Sequence, residues 1–114
     1  MPPFLIPGLS NTNSLGEEVQ KTLSLANVVK ALDTVNCQIM VNPNKLSGPQ
    51  TMFISGNNSE AKKQVGELLE KFGWNEIIDL GDITGARATE MMMPIWIRIM
   101  VTTNNVHFGF KIVR

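Results

Sequence analysis

In "SLGEEVQKTLSL" apolar residues return at every fourth place, Leu15, Val19 and Leu23, and Ser14 stands three residues before Glu17. That spacing predicts a short amphipathic helix capped by Ser14. "NVVKAL", residues 27–32, is short and rich in β-branched residues, as a buried strand is. "NCQIMVNPNKLSGPQ", residues 36–50, holds neither period for long and carries Pro43, Gly48 and Pro49, which predicts an extended loop. "TMFIS" is a second strand. A helix then follows, capped by Asn58 or Ser59, with Ala61, Val65, Leu68, Leu69 and Phe72 as its stripe and Gly73 as its stop.

"EIIDL", residues 76–80, predicts a third strand, and "ITGARATEMMMPIWIRIM" a helix that Pro94 kinks or divides. A helix apolar on most of its circumference is expected to be covered on more than one side. In "HFGFKIVR" Phe108, Phe110 and Ile112 alternate with His107, Gly109 and Lys111, the pattern of a half-buried strand. Strands alternating with helices predict an α/β fold, a mostly parallel sheet with helices packed on its faces.

The 114 residues suffice for one domain with a modest core. Ten basic and ten acidic residues leave no net charge, which argues against nucleic acid or an anionic membrane as partner. Cys37 is the only cysteine, so no internal disulfide or multi-cysteine metal site forms, and a cytoplasmic protein is expected. "MPPFLIPGLS" lacks a basic start and is broken by Pro7 and Gly8, so it reads as neither signal nor anchor. Met91 to Val101 is far below the about 20 residues that span a bilayer.

"TMFISGNNSEAKK" has the order of a nucleotide-binding turn, a strand, a glycine and a helix. A dinucleotide loop requires G-x-G-x-x-G, and here Asn57, Asn58 and Ser59 follow Gly56. The Walker pattern fails as well, and "DLGDITGARATE" spaces Gly81 and Gly85 too widely. Both read as tight turns. His107, the one histidine, has no second ligand or nucleophile at motif spacing and reads as a surface residue. Cys37 reads as inert, Asp79, Asp82 and Glu90 as capping or solvated carboxylates, and Met91 to Met93 as core filler.

Taken in order, "SLGEEVQKTL…ANVVKALDTV", "TMFISGNNSEAKKQVGELLEKFGW", "EIIDLGDITGARATE" and "FGFKIVR" resemble the second half of the coenzyme F420 (deazaflavin)-dependent NADP oxidoreductases, which are Rossmann-fold dinucleotide-binding proteins. The resemblance runs from about residue 10 to the end. It implies that residues 1–114 are the C-terminal part of such an enzyme, with the glycine-rich loop in an N-terminal half outside them. The family's segment "KA-aromatic-NT" is "KALDTV" here, with Leu32 in the aromatic place and Asp33 in the amide place.

By this resemblance NADP is the cofactor and a flavin-like or deazaflavin-like molecule the hydride acceptor. Asn11, Asn13, Asp33, Thr34 and Asn36 would face the nicotinamide end of the crevice, with residues 36–50 on the substrate side. A catalytic acid or base is not implied, since hydride passes directly between two cofactors held face to face. An open sheet edge would pair with a second copy of the chain, giving a homo-oligomer. The alternative is a small α/β interaction or assembly module without a cofactor.

Overall fold

A computed structural model describes residues 12–114. The elements run α1 (Leu15–Thr22), β1 (Val29–Lys30), α2 (Cys37–Met40), β2 (Thr51–Gly56), α3 (Ser59–Phe72), β3 (Glu76–Asp79), α4 (Ala86–Glu90) and α5 (Met93–Thr103), with 3-10 turns at Pro43–Lys45 and Ile83–Gly85. The three strands form one sheet in the order β1-β2-β3. β2 and β3 are parallel over four residue pairs, from Thr51↔Glu76 to Ile54↔Asp79, whereas β1 meets β2 antiparallel at Val29↔Gly56 and Lys30↔Ser55. The α/β class read from the sequence holds, with a sheet mostly but not wholly parallel.

β2 is buried throughout, as a central strand must be. Its side chains alternate between two faces. Met52 and Ile54 enter the core with Val35, Ile39, Leu69 and Trp74. Trp74 is closed in by a bond from its indole N–H to the Met40 carbonyl at 2.9 Å, which ties the end of α3 to α2. Thr51, Phe53 and Ser55 take the opposite face, where Gly85 comes against Ser55.

α3 forms as its sequence dictates. Asn58 caps it by accepting from Ala61 N–H at 2.8 Å, and Gly73, at φ 112°, turns the chain out in a conformation that only glycine adopts without strain.

Several expectations are corrected. Residues 36–50 are not a structureless loop, because the Asn36 cap starts one turn of α2 and Pro43 starts a 3-10 turn. The strand over 27–32 shrinks to two residues. The segment 83–100 is a 3-10 turn and two helices, broken at Met91 and Met92, with Pro94 in the first turn of α5, where its missing N–H costs nothing. α5 is not covered on several sides: none of its residues is buried, and Ile95 and Val101 are more than half exposed.

The C-terminal segment "HFGFKIVR" does not pair as a strand. Phe108 packs on Trp96 with ring centroids 5.0 Å apart, while the backbone spends one bond on the sheet, Thr51 N–H to Phe110 C=O at 2.7 Å. Where a ladder would continue, Ile112 N–H donates to the Thr51 hydroxyl instead, at 3.0 Å.

Candidate functional site

The segment before α1, the end of β1 and the end of α4 meet in a cluster of buried polar groups. Ser14 caps α1 by accepting from Glu17 N–H at 3.1 Å, and its hydroxyl donates back to the Glu17 carboxylate at 2.8 Å. Arg87 of α4 grips the same carboxylate from outside, Nε at 2.8 Å and Nη2 at 2.6 Å. The Arg87 hydrogen bonds hold Glu17 below the usual glutamate range against the opposing effect of burial.

Glu90, at the end of α4, is buried and accepts from the backbone N–H of Leu15 at 2.6 Å and of Gly16 at 3.0 Å. A carboxylate suits the open N–H groups and partial positive charge of a helix start. Lys30, the last residue of β1, brings its ammonium to 3.7 Å from the Glu90 carboxylate. One side chain thus ties α1, β1 and α4 together. Gly16 permits the approach, since a Cβ there would lie 2.9 Å from the Ala86 Cβ.

Leu32, at φ 64°, lies in the left-handed region that a leucine rarely occupies. Asp33 follows it. Both carboxylate oxygens of Asp33 are shut away from solvent without a hydrogen-bond partner, and Thr89 directs its own hydroxyl to the Ala86 carbonyl at 3.3 Å. Burial pushes the Asp33 carboxyl above the usual aspartate range, with Lys30 pulling the other way. The hydroxyls of Thr34 and of Ser55, the residue opposite Lys30 in the sheet, are also buried without a partner.

The five residues inferred from the family pattern meet different fates. Asn11 lies outside the described residues. Asn13 donates its amide to the Glu18 carboxylate on α1, and Asn36 spends its side-chain oxygen on Ile39 N–H at 3.1 Å, as the cap of α2. Asp33 joins the cluster with Lys30 and Glu90, and Thr34 is buried beside it. Glu90, Lys30 and Arg87 went unread as site residues because their partners lie far along the chain. Glu90 is indeed a capping carboxylate, but the helix it caps is α1.

The two glycine turns hold no phosphate cradle. A Cβ on Gly56 would meet the Val28 carbonyl oxygen at 2.8 Å, so the glycine there serves the packing of β1 on β2. Asn57 accepts from Ile83 N–H at 3.0 Å and Asn58 caps α3, so both side-chain oxygens are spent on the fold. At the second turn Asp79 pairs with Lys62, and Asp82 caps the 3-10 turn through Thr84 N–H at 3.0 Å. The hollow beside the Gly56 turn is lined by Glu17 and Lys21 with neutral residues, so its charges cancel. Neither turn has the glycine spacing of a pyrophosphate cradle.

His107 is exposed and hydrogen-bonded to Gln38 at 2.8 Å, and Cys37 is exposed at the start of α2. Among the described residues no group of histidine, cysteine and carboxylate side chains could hold a metal, and no helix is long and apolar enough to cross a membrane.

No protein-family model and no curated protein matches the chain. Among solved structures it is similar to a candidate F420-dependent NADP reductase from Arthrobacter sp. FB24, with 47% sequence identity and a TM-score of 0.92 over 100% of this chain. The chain spans about half of that relative, 51% of its length. The likeness read from the sequence stands: this chain resembles one half of such a reductase.

Proposed function

We propose that the chain is the C-terminal part of a Rossmann-type, NADP-dependent oxidoreductase that passes hydride between a nicotinamide and a flavin-like or deazaflavin-like acceptor. The observation that carries this is the similarity over its whole length, at 47% identity, to a candidate F420-dependent NADP reductase. Such a transfer asks the protein chiefly to position two rings. In this reading the pyrophosphate is held by residues outside the described ones. Asn11 and Asn13 ahead of α1, with Asp33, Thr34 and Asn36 after β1, border the nicotinamide end. Glu90 supports the arrangement, because it fastens the start of α1 to the end of β1.

The second reading is a non-catalytic α/β interaction or assembly module. It is favoured by Asp33, a carboxylate in the amide place whose oxygens face the interior. Calorimetric titration with NADPH, beside a sizing run, separates the two. A dissociation constant below about 100 micromolar, near −5.5 kcal/mol, supports the oxidoreductase, and deazaflavin-dependent loss of NADPH absorbance would add the acceptor. A folded chain that gives no heat, alone or joined to a nucleotide-binding half, leaves the module.

A further inference from the structure

Helix α1 is docked with its polar side inward. Ser14 and Glu17 are buried, Glu17 held by Arg87, while Leu15, Val19 and Leu23 are 43%, 38% and 54% exposed. These three lie at every fourth place, in one apolar row along the outside, and Leu25 beyond them is wholly exposed. An amphipathic helix that belongs only to its own domain turns that row to the core. The turn that carries Leu23 and Leu25 is braced by Gln20, whose amide donates to the carbonyls of Leu23 at 3.2 Å and Ala26 at 2.7 Å and accepts from Val28 N–H at 3.1 Å. The row is therefore held in place as a surface, and an ordered apolar surface of this kind marks a site of association.

The length of the structural relative bears on what covers it. This whole chain overlays on that protein with a TM-score of 0.92 and accounts for 51% of it, so the relative's fold continues into as much chain again. The chain enters α1 through Thr12 and Asn13, at the Leu15 end of the row. The two glycine turns lack the spacing of a pyrophosphate cradle, and the oxidoreductase reading assigns that recognition to the other half. We infer that the outer row of α1 is the seat of a nucleotide-binding α/β half, an identification of the partner that rests on the oxidoreductase reading.

The test is co-expression of the tagged full chain with the half of the Arthrobacter relative that it does not match. The two are expected to co-purify in equal amounts. Val19→Asp and Leu23→Asp should each lower recovery of the second half at least tenfold, while Ile95→Asp, on the exposed face of α5, should leave it unchanged. All three should keep the wild-type circular dichroism melt, since the sites are exposed. Failure of the wild type to co-purify, or co-purification indifferent to Val19→Asp, overturns the inference. A dimer of the chain alone that Val19→Asp dissociates also overturns it, by assigning the row to a second copy. A dimer that survives Val19→Asp while co-purification remains sensitive to it points to the open edge of β1 for self-pairing and leaves the seat intact. NADPH titration of the co-purified pair keeps the two claims apart: an equimolar complex without heat removes the oxidoreductase reading and leaves the docking surface standing.

Discussion

Glu90 binds the N–H of Gly16 across 74 positions of sequence, at 3.0 Å, and so caps a helix that already has its own local cap in Ser14. The two caps act on different donors, Ser14 on Glu17 N–H and Glu90 on Leu15 and Gly16. Glu90→Gln keeps an acceptor but loses the charge. It should lower unfolding stability by about 1–2 kcal/mol, the worth of a charge-assisted bond at a helix start. Urea denaturation of the two proteins measures this, and an unchanged midpoint would show that Ser14 suffices.

Asp33 gives stability an unusual pH dependence. Burial raises its folded-state pKa, so the folded protein holds the proton more tightly than the unfolded chain. Its contribution is fully present below the unfolded value near 3.8 and is lost as pH rises through the folded value. Lys30, Thr89 and Glu90 are the groups that face it. Asp33→Asn removes the ionisation, and should stabilise by on the order of 1 kcal/mol at neutral pH, where burial opposes the charged form of the wild-type side chain. The gain should vanish on acidification. Denaturation midpoints from pH 4 upward test this, and a constant difference between the two proteins would contradict it.

Glu17 has the opposite sign. Its folded-state pKa is lowered, first by the Arg87 hydrogen bonds, so its contribution is present above the unfolded value near 4.5 and lost as pH falls through the folded value. Arg87→Met should therefore weaken the protein at neutral pH and converge on the wild type in acid. Asp82, which also feels Arg87, adds in the same direction. Melting curves that remain parallel down the acid limb would rule out this role for the pair.

What could be read in the sequence was what is local in the chain. The Ser14 and Asn58 caps and the Gly73 stop each act within a few residues, so spacing reveals them. Glu90 reaches 74 positions to Gly16, and spacing carries no trace of that bond. Periodicity found the apolar row of α1 correctly and could not say which body it faces, because a row meant for another body looks the same as one meant for the core. The alternation in "HFGFKIVR" likewise describes the two sides of the segment, with Phe108 against Trp96, but not whether its backbone finds a strand to pair with.

Leu68 and Leu69 show the same limit within one helix. Both sit in the predicted stripe of α3, yet Leu69 is buried against the sheet and Leu68 is 50% exposed. Leu69→Ala should cost about 2–5 kcal/mol and Leu68→Ala less than about 1 kcal/mol, because only the first leaves a cavity. Equal losses in chemical denaturation would mean that the face of Leu68 is also covered.

Gly56 and Gly66 separate a glycine that the fold requires from one it does not. At Gly56 a Cβ would stand 2.8 Å from the Val28 carbonyl oxygen, and backbone on both sides of the β1–β2 pair cannot give way as a flexible side chain could. Gly56→Ala should cost about 1–3 kcal/mol. Gly66 lies inside α3 with nothing within 4 Å of its Cβ position, so Gly66→Ala should stabilise by about 0.5–1 kcal/mol through helix propensity alone. Thermal melts of the two variants should move in opposite directions. A Gly56→Ala protein as stable as the wild type would mean that β1 is free to move away from β2, and the turn at Gly56 would then have room for a ligand after all.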